Sequence, residues 1–99
     1  MPVTDQTYSA PATVNVAATT TEILAANADR EAAIIVNDSD TAIYLAVGVA
    51  AVAGRGMRLN ANGGVAQFGA SGGLPLTLLA INGIHGGSGT KAVTVQEVL

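Results

Sequence analysis

The segment Ile34–Val47, IIVNDSDTAIYLAV, is the most strand-like part of the chain. Two apolar runs rich in β-branched residues flank the polar segment Asn37–Asp40. Asn, Asp and Ser form turns because their side chains bond to nearby backbone amides. The pattern therefore predicts a β-hairpin whose loop is longer than two residues.

Both faces of the predicted hairpin carry apolar side chains. Successive side chains of a strand point to opposite faces, so Ile34 and Val36 share one face of the first strand. Ile43, Leu45 and Val47 share one face of the second strand, and Ile35 and Tyr44 each fall on the other face of their own strand. This arrangement suits a central position in a sandwich or a contact between subunits. The residues expected in the core are Ile34, Val36, Ile43, Leu45, Leu76, Leu78, Val93 and Val95.

Short strand-like segments and turn residues alternate along the rest of the chain. Leu74–Ile81 is the most apolar segment and is expected to form a core strand, followed by a flexible tip at Asn82–Gly89. A helix starting at Thr21 is an alternative to a strand over Thr19–Ala26, because Glu22 and its neighbours are good helix formers. The further predicted strands are Thr13–Val16, Met57–Leu59, Val65–Phe68 and Lys91–Val98. About eight short strands indicate an all-β fold, an antiparallel β-sandwich of jelly-roll type.

The 99 residues favour a single domain over 13–99, preceded by a flexible or extended arm over 1–12. The arm is polar, carries Pro2 and Pro11, and contains Tyr8 as its one large anchoring side chain. Alanine supplies much of the apolar content, and it buries little area. We therefore expect contacts with other subunits to add to the burial that a lone chain achieves.

The composition argues against several partners. Only four Lys and Arg residues are present and the net charge is −3, too little positive charge for nucleic-acid binding. The apolar runs are shorter than the roughly 20 residues that a membrane-spanning helix needs, and the N-terminus does not resemble a secretory signal. We expect a protein made in the cytoplasm that contacts neither membrane nor nucleic acid.

No motif predicts catalysis, a metal site or a cofactor. In Gly86–Lys91, GGSGTK, the order of Thr and Lys is the reverse of that in a phosphate-binding loop. His85 is the only histidine and is expected to be exposed in a loop, without a sharp Gly-x-Ser-x-Gly turn to supply a nucleophile. Asp38 and Asp40 lack the spacing of a calcium loop and are interpreted as turn-capping residues. The chain is not expected to be an enzyme.

A second set of residues is predicted to bind a partner. Tyr8 and Pro11 would dock the arm, since proline lowers the entropy lost when an extended segment binds. Arginine side chains pair well with carboxylates, and tyrosine is frequent at the centre of interfaces. The predicted partner-binding residues are Tyr8, Pro11, Arg30, Tyr44, Arg55 and Arg58.

Several short motifs resemble a pattern found in small structural proteins of tailed phages. They are EILAANADR at Glu22–Arg30, IIVNDSDT at Ile34–Thr41 and IYLAVG at Ile43–Gly48. Gly56–Leu59, the Gly63–Gly64 turn and a closing strand over Ala92–Glu97 continue the resemblance, which spans about residues 21–98. It implies a virion component, foremost a head decoration (cement) protein with a β-sandwich or jelly-roll core. Such proteins often form homotrimers at junctions between capsomers and bind the major capsid protein.

Two functional classes stay open on this resemblance. The first is decoration of the capsid surface, where the protein clamps capsid subunits against internal pressure. The second is a tail, fibre or head–tail connector component built on the same sandwich. An enzyme or a small-ligand lectin is a third class, disfavoured by the missing acid–base residues and by an aromatic content of 3%.

Overall fold

The computed structural model describes residues 7–69 and 73–99, and within them the chain is built from β-strands without any helix. The expected all-β fold is confirmed, and the alternative of a helix at Thr21 is wrong. The strands are β1 Ala12–Val16, β2 Thr21–Leu24, β3 Ala32–Asn37, β4 Ile43–Val47, β5 Met57–Leu59, β6 Gly64–Phe68, β7 Ile81–His85 and β8 Lys91–Val98.

The strands form two antiparallel sheets that pack face to face. Sheet 1 has the order β1-β8-β3-β6 and sheet 2 the order β2-β7-β4-β5. Four of the pairings, β1–β8, β2–β7, β3–β6 and β4–β5, are those of one long ribbon folded back on itself. The remaining pairs, β3–β8 and β4–β7, join the folded ribbon into two sheets. This arrangement is the eight-stranded jelly roll.

The predicted hairpin over Ile34–Val47 is wrong, because its two strands belong to different sheets. β3 pairs with β6 and β8, whereas β4 pairs with β5 and β7. The polar segment between them thus carries the chain from one sheet to the other. Turn-forming residues predict a reversal of the chain, and they do so equally for a hairpin and for a crossing between sheets.

Asn37 holds this crossing from inside the protein. Its side chain is fully buried, and its Nδ2 donates to the carbonyl oxygens of Thr41 at 2.8 Å and Leu59 at 3.0 Å. Its Oδ1 accepts from the backbone N–H and the hydroxyl of Ser39 at 3.0 and 2.6 Å. One amide thus joins the end of β3 to the start of β4 and the end of β5, and it satisfies buried carbonyls that would otherwise be unpaired.

The inward position of Asn37 also sets which residues of β3 enter the core. Because side chains alternate along a strand, Ala33 and Ile35 point inward with Asn37, and both are buried. Ile34 and Val36 point outward and are half-buried, so their predicted place in the core is wrong. The predictions for Ile43, Leu45, Val93 and Val95 are confirmed.

β7 lies later in the chain than the strand predicted over Leu74–Ile81. Residues 74–80 form no strand, and Leu76 and Leu78 are 47% and 43% exposed, so the core prediction is wrong for both. The segment predicted as a flexible tip instead contains β7, a central strand of sheet 2. Glycine suits its middle, because a Cβ on Gly83 would lie 2.5 Å from Ile23 Cδ1.

The N-terminal arm, where the structure describes it, lies against β8. Thr7 and Leu99 exchange two backbone hydrogen bonds, and the N–H of Ser9 donates to the carbonyl of Glu97. Tyr8 forms an isolated bridge with Val98. Thr7, Tyr8 and Ser9 are thus held against β8 and Leu99, and the part of the predicted arm over 1–6 lies outside the described residues.

Replacing Ile35 by Ala should lower the free energy of unfolding by about 2–5 kcal/mol, since a fully buried aliphatic side chain leaves a cavity. Replacing Leu78 by Ala should cost only a small fraction of that, because much of the side chain already contacts solvent. Urea unfolding curves give both values. Equal losses of stability for the two variants would contradict the burial assigned to Ile35 and the exposure assigned to Leu78.

Replacing Asn37 by Asp tests the crossing between the sheets. Aspartate keeps an acceptor for Ser39 but leaves the carbonyls of Thr41 and Leu59 without a donor, at about 1–3 kcal/mol for each buried unpaired group. We expect a loss of about 2 kcal/mol or more in urea unfolding, against little change for the matched Asn60→Asp variant on an exposed turn. Similar losses in both variants would contradict the role given to Asn37.

Candidate partner-binding surface

Arg30 lies in the interior and does not belong to a partner-binding surface. Its Nε donates to Glu97 Oε2 at 2.7 Å, and its Nη1 donates to the carbonyls of Thr77 and Leu79 at 2.9 Å each. Its Nη2 donates to the carbonyl of Ala25 at 2.7 Å. The side chain has no exposed surface, so its prediction as a residue that pairs with a partner's carboxylate is wrong.

The buried guanidinium orders the backbone of residues 74–80, which we call the leucine strap. Two strap carbonyls point inward to Arg30, and the carbonyl of Leu78 accepts from the N–H of Asn27 at 2.9 Å. Three of its four leucine side chains are exposed to solvent, Leu76 by 47%, Leu78 by 43% and Leu79 by 56%, whereas Leu74 packs against the core. The strap is therefore an apolar surface whose backbone is already ordered.

The leucine strap continues into the loop after β4. The N–H of Gly48 donates to the carbonyl of Ala80 at 2.7 Å, and Asn82 Nδ2 donates to the carbonyl of Val49 at 2.7 Å. Val49 is 64% exposed, which adds to the apolar surface. This surface was not predicted from the sequence, because a run of leucines is typical of a core strand. Pro75 and the lack of regular alternation were the signals against that interpretation.

Tyr44 and Arg58 lie together on the outer face of sheet 2. They occupy directly opposite positions on β4 and β5, and Ile84 of β7 lies opposite Tyr44 on its other side. Tyr44 is half-buried and Arg58 exposed. An aromatic ring beside a guanidinium is the composition found at the energetic centre of many interfaces. We call this pair the Tyr44–Arg58 surface.

The other predicted partner residues are not all brought to this surface. Arg55 is exposed in the turn before β5, close to Arg58 along the chain. Tyr8 and Pro11 lie beside β8, in the other sheet. Within the part of the chain that the structure describes, the ion pairs are Arg30–Glu97 and Lys91–Asp40, so neither Arg55 nor Arg58 has a carboxylate partner there.

His85 is buried, and the prediction of an exposed loop histidine is wrong. Its ring closes the turn that follows β7: Nδ1 accepts from the N–H of Gly87 at 3.0 Å, and Nε2 lies 2.7 Å from the carbonyl of Gly89. With Nδ1 as the acceptor, Nε2 carries the proton and donates to Gly89. Both ring nitrogens are thus used in holding the turn. A catalytic triad with His85 would need Ser39, Ser71 or Ser88 as its nucleophile, and Ser71 lies outside the described residues.

The carboxylate of Asp40, at the end of the Asn37–Asp40 segment, bonds to Lys91 and Thr41. Lys91 Nζ lies 3.0 Å from Asp40 Oδ1, and this bond, together with one from the hydroxyl of Thr41, holds the pKa of the Asp40 carboxyl below its usual range. A lowered pKa keeps the carboxylate ionised at neutral pH, and the pair is lost as the pH falls through that pKa. No cluster of three or more metal-ligating side chains occurs in residues 7–69 and 73–99.

Comparison with known proteins gives no relative from which a function can be taken. No family model matches the chain, and neither a curated protein nor a solved structure matches it. In the described part of the chain, no helix is long and apolar enough to cross a bilayer.

Replacing Arg30 by Lys should destabilise the protein and loosen the leucine strap. One ammonium group cannot reproduce four hydrogen bonds in four directions, and removing a buried charged partner costs about 3–5 kcal/mol. We expect a loss of about 2–4 kcal/mol and faster amide exchange over the strap, measured by urea unfolding and hydrogen-exchange mass spectrometry. The exposed Arg58→Lys variant is the control, and strap exchange that is equal in both variants would contradict this role.

Proposed function

We propose that this chain is a structural protein of a tailed-phage virion, a decoration (cement) protein that binds the major capsid protein on the capsid surface and stabilises the lattice. The proposal starts from the resemblance of the motifs over residues 21–98 to small phage structural proteins. The jelly roll is compatible with it, because this fold occurs among viral capsid domains, although a fold by itself does not determine function.

The observation that carries the proposal is the leucine strap with its backbone fixed by Arg30. A surface that is ordered before binding loses little conformational entropy when a partner covers it. Leu76 and Leu79 are about half exposed in a segment without charged residues, and apolar patches of this kind mark interaction sites. A decoration protein stabilises the capsid by binding to it, and a pre-ordered contact surface serves that function without a reactive group.

The Tyr44–Arg58 surface provides a second contact in this proposal. Arg58 and Arg55 are exposed cations on a chain whose net charge is −3, and they supply directional bonds to carboxylates of the capsid protein. Tyr44 lies opposite Arg58 on the neighbouring strand, and its ring adds aromatic area to the contact with the capsid protein. The docking of the N-terminal arm through Tyr8 and Pro11 stays a prediction, as does the homotrimer that the resemblance implies.

The copy number of this chain in purified virions tests the proposal directly. Quantitative mass spectrometry against the major capsid protein should give hundreds of copies for a decoration protein, because the capsid lattice is repeated many times. A dozen copies or fewer would identify a tail, fibre or connector component instead. Absence from virions would overturn both functions.

Rebinding to virion heads stripped of the protein tests the strap. The variant Leu76→Ser/Leu79→Ser should bind at least about tenfold more weakly, since burial of one Leu side chain contributes about 1.5–3 kcal/mol. The control is Val52→Ser, which alters a residue of similar exposure, 51%, in the turn before Arg55. Thermal unfolding confirms that the variants are folded, and unchanged binding of the strap variant would remove the strap from the contact.

A further inference from the structure

Ser9 joins the N-terminal arm to β8 by three hydrogen bonds. Its N–H donates to the carbonyl of Glu97 at 2.9 Å, and its hydroxyl accepts from the N–H of Glu97 at 2.9 Å. The carbonyl of Ser9 accepts from Gln96 Nε2 at 2.8 Å. Both backbone polar groups of Glu97 therefore face the arm and are paired with one of its residues.

The side chain of Glu97 points into the protein and meets Arg30. Glu97 follows the buried residues Val93 and Val95 in the alternation of β8, so its side chain lies on their side of the strand. Its Oε2 accepts from Arg30 Nε at 2.7 Å, where the carboxylate side chain is 14% exposed and the arginine side chain 0%. An ion pair that is largely removed from water is strong, and its strength depends on how firmly its members are held. Ser9 holds the backbone that carries this carboxylate.

Arg30 passes this restraint to the leucine strap. Its Nη1 donates to the carbonyls of Thr77 and Leu79, and the carbonyl between them, of Leu78, accepts from the N–H of Asn27. Residues 76–79 have no strand partner, so these bonds hold the segment in place. A segment held in this way opens locally at a lower free energy than the sheets do.

We propose that the N-terminal arm controls the order of the leucine strap through Glu97 and Arg30. The two states are a strap docked on the guanidinium and a strap that is locally open. While Ser9 is paired with Glu97, the carboxylate is held against Arg30 and the docked strap is favoured. When the arm leaves β8, Glu97 becomes more mobile and more hydrated, and Arg30 holds the strap less firmly. Ser9 is thus a positioning residue for the strap, although its own bonds are with β8.

The coupling between arm and strap acts in both directions. A partner that covers the docked strap strengthens the pairing of the arm with β8 by the same factor as the arm strengthens binding to the strap. A partner that draws the arm away from β8 loosens the strap. The coupling itself depends only on contacts within this chain, whereas its use in binding rests on the proposed function of the strap as a capsid contact.

Hydrogen exchange of single backbone amides, measured by NMR on the full chain, tests the coupling. The N–H of Asn27 reports on the strap, because it donates to the carbonyl of Leu78 at 2.9 Å. The N–H of Gly63 donates to the carbonyl of Asn37 at 2.8 Å, in the crossing between the sheets, and serves as the reference. A change confined to the first amide reports opening of the strap, whereas a change in both reports a loss of overall stability.

The variant Ser9→Ala removes the hydroxyl that accepts from Glu97. Exchange of the Asn27 amide should become faster by about 2- to 30-fold, the range that coupling through such networks produces, while the Gly63 amide is unchanged. The matched control is Ser88→Ala, an exposed serine in the turn after β7, which should change neither amide. Unchanged exchange of Asn27 in Ser9→Ala, or equal changes at both amides, would overturn the proposal.

A double-mutant cycle with Glu97→Gln tests whether the coupling passes through the ion pair. Glutamine keeps the shape of the side chain without its charge, so this variant alone should speed exchange of the Asn27 amide. Adding Ser9→Ala should then have little further effect, because the carboxylate that Ser9 positions is gone. An equal effect of Ser9→Ala in both backgrounds would contradict the proposed route. Glu97→Asp, which keeps the charge on a shorter side chain, replaces Glu97→Gln if circular dichroism shows that the latter is unfolded.

Binding to stripped heads separates this proposal from the proposed function. Faster exchange of the Asn27 amide in Ser9→Ala together with weaker head binding supports both. Faster exchange with unchanged head binding keeps the coupling and removes the strap from the capsid contact. Weaker head binding with unchanged exchange shows that the arm contacts the capsid directly, and it overturns the coupling.

Discussion

The buried guanidinium of Arg30 is the interaction on which the arrangement of this surface depends. A buried arginine is costly unless its guanidinium is hydrogen-bonded, and here each of the three nitrogens donates, to Glu97 and to the carbonyls of Ala25, Thr77 and Leu79. These groups come from β8, from the residue after β2 and from the irregular segment between β6 and β7. Leu74 bonds to the end of β6, but residues 76–79 have no strand partner, so Arg30 supplies there the backbone bonds that a sheet would otherwise provide. The exposed leucine side chains of the strap are thereby carried by an ordered backbone.

The fold class was predictable from the sequence, whereas the connections between strands were not. Alternation at Lys91–Val98 and the turn at residues 60–64 identify elements that the structure contains, because these signals are local. The assignment of β3 and β4 to different sheets depends on Asn37, whose partners Thr41 and Leu59 become neighbours only in the folded protein. A buried asparagine and an exposed asparagine are the same letter in a sequence, so the role of Asn37 could not be predicted from it.

The candidate surface was predicted less well, for the same physical reason. Arg30 and Arg58 were both predicted to bind a partner. Arg30 is buried among backbone carbonyls, whereas Arg58 is exposed on the strand beside Tyr44. His85 and the leucine strap were assigned to the wrong environments, since glycine near His85 suggested a loop and leucine suggested a core. In β7, glycine instead reflects close packing against Ile23. Tyr44 is half-buried and Arg58 exposed on neighbouring strands, and their role in binding a partner stays a prediction.

The place of β8 between β1 and β3 has a consequence for how the protein forms during synthesis. β1 and β3 do not pair with each other, so sheet 1 consists only of the β3–β6 pair until residues 91–98 have been added. The local β4–β5 pair is available early, while the outermost pair of the ribbon, β1–β8, joins residues some 80 positions apart. Contacts so distant in sequence make folding slow, in the range of milliseconds to seconds. Until β8 has been added, β1 has no partner in sheet 1 and β3 has only β6, so the apolar side chains of Val16 and Ile35 are incompletely packed. A partly folded chain of this kind is prone to aggregate.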